Sequence, residues 1–383
     1  MAREKIAEGI SYDIDRKLYY VAFTYGRDGN GKFIRKYKTY STLKEARAAK
    51  REFDANKDHG DTLSPRRITL GDVIQEWLKT VAQPKIAHTT YYGYEQIVRN
   101  HLLKDKIGKL PIQDIKARDI QQYYARALEK LSPNTVIKHY NLLSSIFDYA
   151  VMMKYAYRNY VKETMPPKKI VSEPDIYTAE QLQTLFRAVK GTWMEPVVFI
   201  AGYLGLRREE ISGLRWSSID FTNNTILICD ARTSAGSTII EKETKTSSSY
   251  RKLQMPSTLR EVLLGERQRQ EEWKGIYGAQ YHNGGYVIQH DDGRPRRPNY
   301  LSAKLQQIVS KYNLPHITLH GLRHTFASLA NQSGVTLFDT SKALGHSSPD
   351  ITGRIYTHLL TNVQSTSVAG VSQQLDNRKK GAQ

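Results

Sequence analysis

The sequence predicts a multidomain α+β protein. A small three-stranded β-sheet with one helix comes first, then an all-helical unit, then a larger, mainly α-helical domain carrying a small antiparallel sheet. Three observations predict this. The 383 residues exceed what one hydrophobic core normally serves. Apolar periodicity changes from short aromatic runs to i, i+3, i+4 stripes at Leu70. Two polar, proline-bearing stretches, 58–67 and 162–174, interrupt the pattern. The expected domains are 1–60, 68–162 and 175–383, the last including a polar tail.

In the first segment, Ile10 to Asp15, Tyr19 to Tyr25 and Phe33 to Tyr40 read as three strands. The last two are joined by Gly26, Asp28, Gly29, Asn30 and Gly31, residues suited to a hairpin turn. Thr42 with Glu45 forms a capping box for a helix to about Lys57. Lys32, Arg35, Lys36 and Lys38 make a basic ribbon along the third strand. A ribbon of this kind fits a DNA major groove; a solvated edge strand guarded by lysines is the equal alternative.

The second segment holds four expected helices and no strand. Leu70, Val73, Ile74, Trp77, Leu78 and Val81 share one face of the first, and Tyr91, Tyr94, Ile97, Leu102 and Leu103 mark the second. Asp119 to Leu128 is the third. Ser132 and Pro133 open a long fourth through Val136, Leu142, Leu143, Ile146, Phe147, Ala150 and Val151. Thr135, Lys138 and His139 are expected off that stripe, available to phosphates or bases.

In the third segment, Thr178 with Gln181 caps a run of helices to about Trp216. Thr225 to Ile228, Ile239 to Lys245 and Tyr250 to Leu253 read as one short antiparallel sheet, and helices resume after Pro256.

Composition narrows the function. Lys+Arg of 57 against Asp+Glu of 38 leaves +19, which on a chain this long points to a polyanionic partner, most often nucleic acid. The single cysteine, Cys229, excludes an internal disulfide and a thiolate metal cluster and fits a reducing cytoplasm. The most apolar stretch, Pro196 to Leu206, falls far short of the ~20 residues needed to span a bilayer. The N-terminus lacks the layout of a signal peptide. A cytoplasmic protein with no membrane partner is expected.

Four separated segments of the last domain hold the side chains a phosphodiester-cleaving site needs. In GLRREEI, Arg207 stands at a helix break after Gly205, with Glu210 one turn on to orient it; its planar fork suits phosphate oxygens. In HGLRH, His320 and Arg323 share one face at a helix start, the end that favours anions. His324 lies one turn from His320, yet Gly321 stands where a zincin would carry glutamate, so no metal is expected. In LGHSSPDITGRIYTH, His346 follows a helix end and Tyr356 projects from the next helix. In TKTSSSYRKL, Lys245 sits beside a Ser-rich turn.

Together these segments resemble the tyrosine recombinase (phage integrase) family, in the family's order Arg, Lys, His-x-x-Arg, His, Tyr. The likeness spans roughly residues 175 to 365. The helical unit is similar to the family's core-site-binding domain, and the N-terminal sheet and helix to the arm-site-binding domain of integrases from temperate phages and Gram-positive conjugative transposons. Asn159 is followed by Tyr160 where the family usually has Asn-Pro.

The resemblance implies Tyr356 as nucleophile, Arg207 and Arg323 as phosphate clamp, His320 and His346 as supporting donors, and Lys245 as general acid. A phenol of pKa about 10 is a poor nucleophile at neutral pH, so its proton must be taken, with His320 as the base. The two arginines and two imidazoles would stabilise charge on the equatorial phosphate oxygens. The 3′-phosphotyrosine conserves the bond, so neither ATP nor a divalent metal is expected.

The implied partners are double-stranded DNA at core and arm sites, a homotetramer on that DNA, and an excisionase and a host DNA-bending protein for integrating and excising a mobile element. A DNA-binding regulator that lost the chemistry and a type IB topoisomerase are the competing readings. The six-residue constellation argues against the first and the arm-like domain against the second.

Overall fold

The computed structural model describes residues 3–27, 32–58, 68–171, 174–243 and 250–345. The chain divides into two compact units, 1–171 and 172–383, and the described residues hold three separate large clusters of buried apolar side chains.

The first cluster lies under a four-stranded antiparallel sheet in sequential order: β1 (Arg3–Ala7), β2 (Ile10–Asp13), β3 (Leu18–Arg27) and β4 (Phe33–Tyr40). Strand β1 adds to the three expected. Its charged sequence REKIA hides it, but Gly9, at φ +73°, turns the chain back so that Glu4 pairs with Tyr12. Helix α1 (Leu43–Asp58) packs Ala46, Ala49 and Phe53 against Val21 and Phe23. Its expected capping box is present: Glu45 N–H donates to Thr42 Oγ1 and Thr42 N–H to Glu45 Oε2, both 3.3 Å. The register pairs Val21 with Lys38 and Phe23 with Lys36, so these two lysines share the helix-side face, whereas Arg35, opposite Thr24, stands on the other.

The second cluster is wholly helical. Helix α2 (Leu70–Trp77) continues through a π-helical turn, Leu78–Ala82, into α3 (Gln83–Lys85). The wide turn accommodates Pro84, which has no N–H to give. Helix α4 (His88–Ile97) likewise runs into a π-helical turn, Val98–Leu102. Then come α5 (Ala117–Leu128) and α6 (Pro133–Met152), the latter capped by Ser132 as expected.

The exit from this unit is tied down without the proline. Asn159 donates through Nδ2 to Ser144 O and Asp148 Oδ1, both 2.9 Å, while its Oδ1 accepts from Val161 N–H at 3.0 Å. Beyond it, Gln121 exchanges two hydrogen bonds with the backbone of Met165 (3.0 and 3.2 Å). Asn134 does the same with Ile170 (3.1 and 2.8 Å). The polar stretch 162–174, expected to separate the second and third domains, is strapped to α5 and α6 as far as Ile170.

The third cluster gathers α7 (Ala179–Val189), the buried α8 (Glu195–Leu204), α9 (Arg208–Gly213), α10 (Ser257–Tyr277), α11 (Pro298–Lys311) and α12 (Leu319–Gln332), with α13 (Leu337–Leu344) packed on α12. The strands form two sheets where one was expected. In the first, β5 (Ile219–Asp220), β6 (Thr225–Ile228) and β9 (Arg251–Gln254) lie side by side. In the second, β8 (Thr238–Glu243) pairs with β7 (Asp230–Ala235) as a separate hairpin turning at Gly236. Strand β7, DARTSA, has too few β-branched or aromatic residues to register as a strand. No described helix is long and apolar enough to cross a membrane.

Candidate active site

Arg207 is delivered by a tight helix-to-helix break. Gly205 ends α8 at φ +60°, where an added Cβ would lie 2.6 Å from Phe326 Cδ1 and 2.7 Å from Leu344 Cδ2, so only glycine lets α12 and α13 approach. Leu206 is buried, and Arg207 becomes the N-cap of α9. Glu210, one turn on and 3% exposed, accepts from Arg207 N–H at 2.8 Å and from Arg207 Nη1 at 2.9 Å.

His320 and Arg323 come from the first turns of α12, capped by Thr318. Gly321 between them packs against the Asp175 carbonyl, which an added Cβ would meet at 2.9 Å. Arg323 is 2% exposed, and its guanidinium donates to Gly205 O at 2.9 Å and Leu344 O at 2.8 Å. Arg207 Nη2 takes the next carbonyl, Gly345 O, at 3.0 Å, and Arg251 Nε the one before, Ala343 O, at 2.6 Å. Three arginines from three elements thus bind three successive carbonyls at the C-terminal, electronegative end of α13.

The electrostatics suit an anionic ligand. Burial alone would push the Glu210 carboxyl up, but Arg251 and Arg207 outweigh it and hold the pKa below the ordinary value, so Glu210 is ionised and orients its partners. His320 presents surface to solvent. Its imidazole is held below its ordinary range by desolvation and then by the nearby charges of Arg323 and Arg207, which keeps it neutral and able to accept a proton at neutral pH. His324, ring centroid 4.5 Å from that of His320, is pushed down to about 4 by burial and by His320. Among the described residues there is no group of three or more metal-ligating side chains.

The structure therefore brings Arg207, Glu210, His320 and Arg323 together. Lys245, His346 and Tyr356 lie outside the described residues. Arg251 was missed; the sequence shows it only as one basic residue in the strand expected over Tyr250 to Leu253, and its burial is seen in the structure alone. A cavity of about 570 Å³ between α7, α8 and α10 touches none of these groups.

The DNA-facing candidates divide. Lys32, Arg35, Lys36, Lys38 and Lys138 are exposed and Thr135 half-buried. His139 needs correction. It is 0% exposed, with Nδ1 2.8 Å from the Tyr123 hydroxyl, and burial followed by His101 pushes its pKa to about 4. It is a core residue, unavailable to a phosphate.

Comparison with known proteins settles the family. Residues 176–362 match the model of the phage integrase family, and residues 69–128 match its N-terminal SAM-like domain. A tyrosine recombinase XerC-like protein of Caldanaerobacter subterraneus subsp. tengcongensis is 31% identical, over 95% of this chain and 98% of its own. The chain belongs to the phage integrase family. It is a tyrosine recombinase, a site-specific enzyme of the kind that integrates and excises mobile elements.

The transposase of transposon Tn916 from Enterococcus faecalis is 25% identical, over 76% of this chain and 75% of its own. The recombinase fold is shared with the Tn1549 transposon integrase, solved with a circular intermediate DNA (TM-score 0.66, 20% identity, 79% of this chain and 99% of that one). It is shared too with a lambda integrase tetramer on a Holliday junction (TM-score 0.58, 17% identity, 90% and 97%).

Proposed function

We propose that this recombinase cuts and rejoins double-stranded DNA through Tyr356, with Arg207 and Arg323 clamping the scissile phosphate. The observation that carries the proposal is the convergence of Arg323 and Arg207 on the carbonyls of Leu344 and Gly345, immediately before His346, with His320 near enough for both guanidiniums to lower its pKa. In the proposed step Tyr356 Oη attacks phosphorus and its proton passes to His320. The bond to the 5′-oxygen breaks, and Lys245 protonates that oxygen. The arginines and His346 stabilise the charge on the non-bridging oxygens. A 5′-hydroxyl from a partner strand reverses the step and seals the exchanged duplex.

Three functional parts follow: 1–60 binding arm sites, 68–162 binding core sites, and 175–383 carrying the chemistry. Four protomers act on two duplexes, a reading supported by the likeness to a lambda integrase tetramer solved bound to a Holliday junction. The net charge of +19 supplies sequence-independent affinity. An excisionase and a host DNA-bending protein complete the expected partners.

The test is a reaction on duplexes carrying one site or two. Joined products that require two sites support recombination. Relaxation of one supercoiled circle without joining would favour a topoisomerase, and tight binding without any cleavage a regulator.

A further inference from the structure

Arg251 opens β9, six residues after Lys245 in the sequence, and it is buried. Its Nη1 and Nη2 donate to Glu210 Oε1 and Oε2, each at 3.0 Å, the paired geometry in which a guanidinium and a carboxylate meet fork to fork. Its Nε reaches back to Ala343 O. Glu210 is therefore shared by two arginines, each reaching both oxygens: Arg207 donates Nη1 to Oε1 and its backbone N–H to Oε2, and Arg251 donates Nη1 to Oε1 and Nη2 to Oε2.

We infer that Arg251 is a positioning residue for DNA cleavage, balancing the buried Glu210 carboxylate so that Arg207 keeps its guanidinium extended toward the phosphate. The inference rests on the reading of Arg207 as a phosphate clamp. A carboxylate as buried as Glu210 cannot be left with half its hydrogen-bonding capacity unmet. Without Arg251, both of its oxygens compete for Arg207. The second Nη, which now reaches Gly345 O beside His346, is then drawn onto the carboxylate.

The local charge also falls, from three cations against one anion to two against one, and less attraction remains for an incoming phosphate. Lysine cannot replace Arg251, because a single ammonium cannot span two carboxylate oxygens and a carbonyl at once.

The experiment uses the full chain, a nicked duplex from the ends of its own genetic element, and EDTA. It measures covalent-adduct formation in single turnover beside DNA affinity. Arg251→Met should bind DNA within about threefold of wild type but form adduct about 100-fold more slowly. Arg251→Lys should not recover the rate. In a Glu210→Gln background there is no charge to balance, so adding Arg251→Met should cost less than about threefold.

Adduct formation at the wild-type rate in Arg251→Met would overturn the inference. So would a further tenfold or greater loss on adding Arg251→Met to Glu210→Gln, which would mark a merely structural role; this second comparison decides even if Arg251→Met alone does not fold. Absence of adduct in the wild type, or adduct persisting in Tyr356→Phe, would instead strike the underlying reading of the site.

Discussion

Glu210 holds Arg207 twice, through the arginine's backbone N–H at 2.8 Å and through Nη1 at 2.9 Å. One carboxylate thus caps α9 and aims the side chain of its N-cap. Since Glu210 is buried between Arg207 and Arg251, Glu210→Ala should cost about 3 kcal/mol of stability, the scale for breaking a buried pair, measured by urea unfolding. It should also slow cleavage more than it weakens DNA binding.

The same carboxylate makes a pH prediction. Its folded pKa lies below the ordinary value of 4.5, so its stabilising contribution is complete above that value and is lost as pH falls through the lower, folded pKa. Wild type should therefore lose stability below pH 4.5 more steeply than Glu210→Gln. Parallel curves from acid-titrated unfolding would contradict the assignment.

Arg323 donates to two carbonyls on different elements, Gly205 O and Leu344 O. Arg323→Lys keeps the charge and loses the fork. Cleavage should fall by about 100-fold while DNA affinity changes little, read by adduct formation and gel shift.

His139 behaves oppositely to a DNA contact. Its pKa of about 4 against 6.5 means the unfolded chain takes its proton first as pH falls below 6.5. The resulting loss of stability, on the order of 3 kcal/mol by pH 4, should be smaller in His139→Gln. At neutral pH that variant should leave the salt dependence of DNA binding unchanged, whereas Lys138→Ala should flatten it.

The amide straps on 165–170 predict protection. Lys168 and Lys169 lie between the Gln121–Met165 and Asn134–Ile170 clamps. Gln121→Ala with Asn134→Ala should speed tryptic cleavage there while leaving the melting temperature of the helical unit close to wild type.

What was legible in the sequence was local. The capping boxes at Thr42 and Thr178, the Ser132 cap and the Leu70 to Trp77 stripe are relations over three or four residues, and each appears as read. His139 was misread by residue type: its spacing, three after Val136 and four before Leu143, already placed it on the buried stripe. Pairings were harder. β1 and β7 depend on turns at Gly9 and Gly236, and division of the third segment's strands into two sheets depends on partners a sequence does not name. In the site, Arg207, His320 and Arg323 stood out through their motifs. Arg251 did not, since its partners Glu210 and Ala343 lie 41 and 92 residues away.

The most direct test of Tyr356 chemistry is a denaturing gel of the protein incubated in EDTA with labelled, nicked DNA from the ends of its own genetic element, wild type beside Tyr356→Phe. A covalent protein-DNA band in the wild type alone is the predicted result. Tight binding of that DNA with no band, or an equal band in the phenylalanine variant, would contradict it.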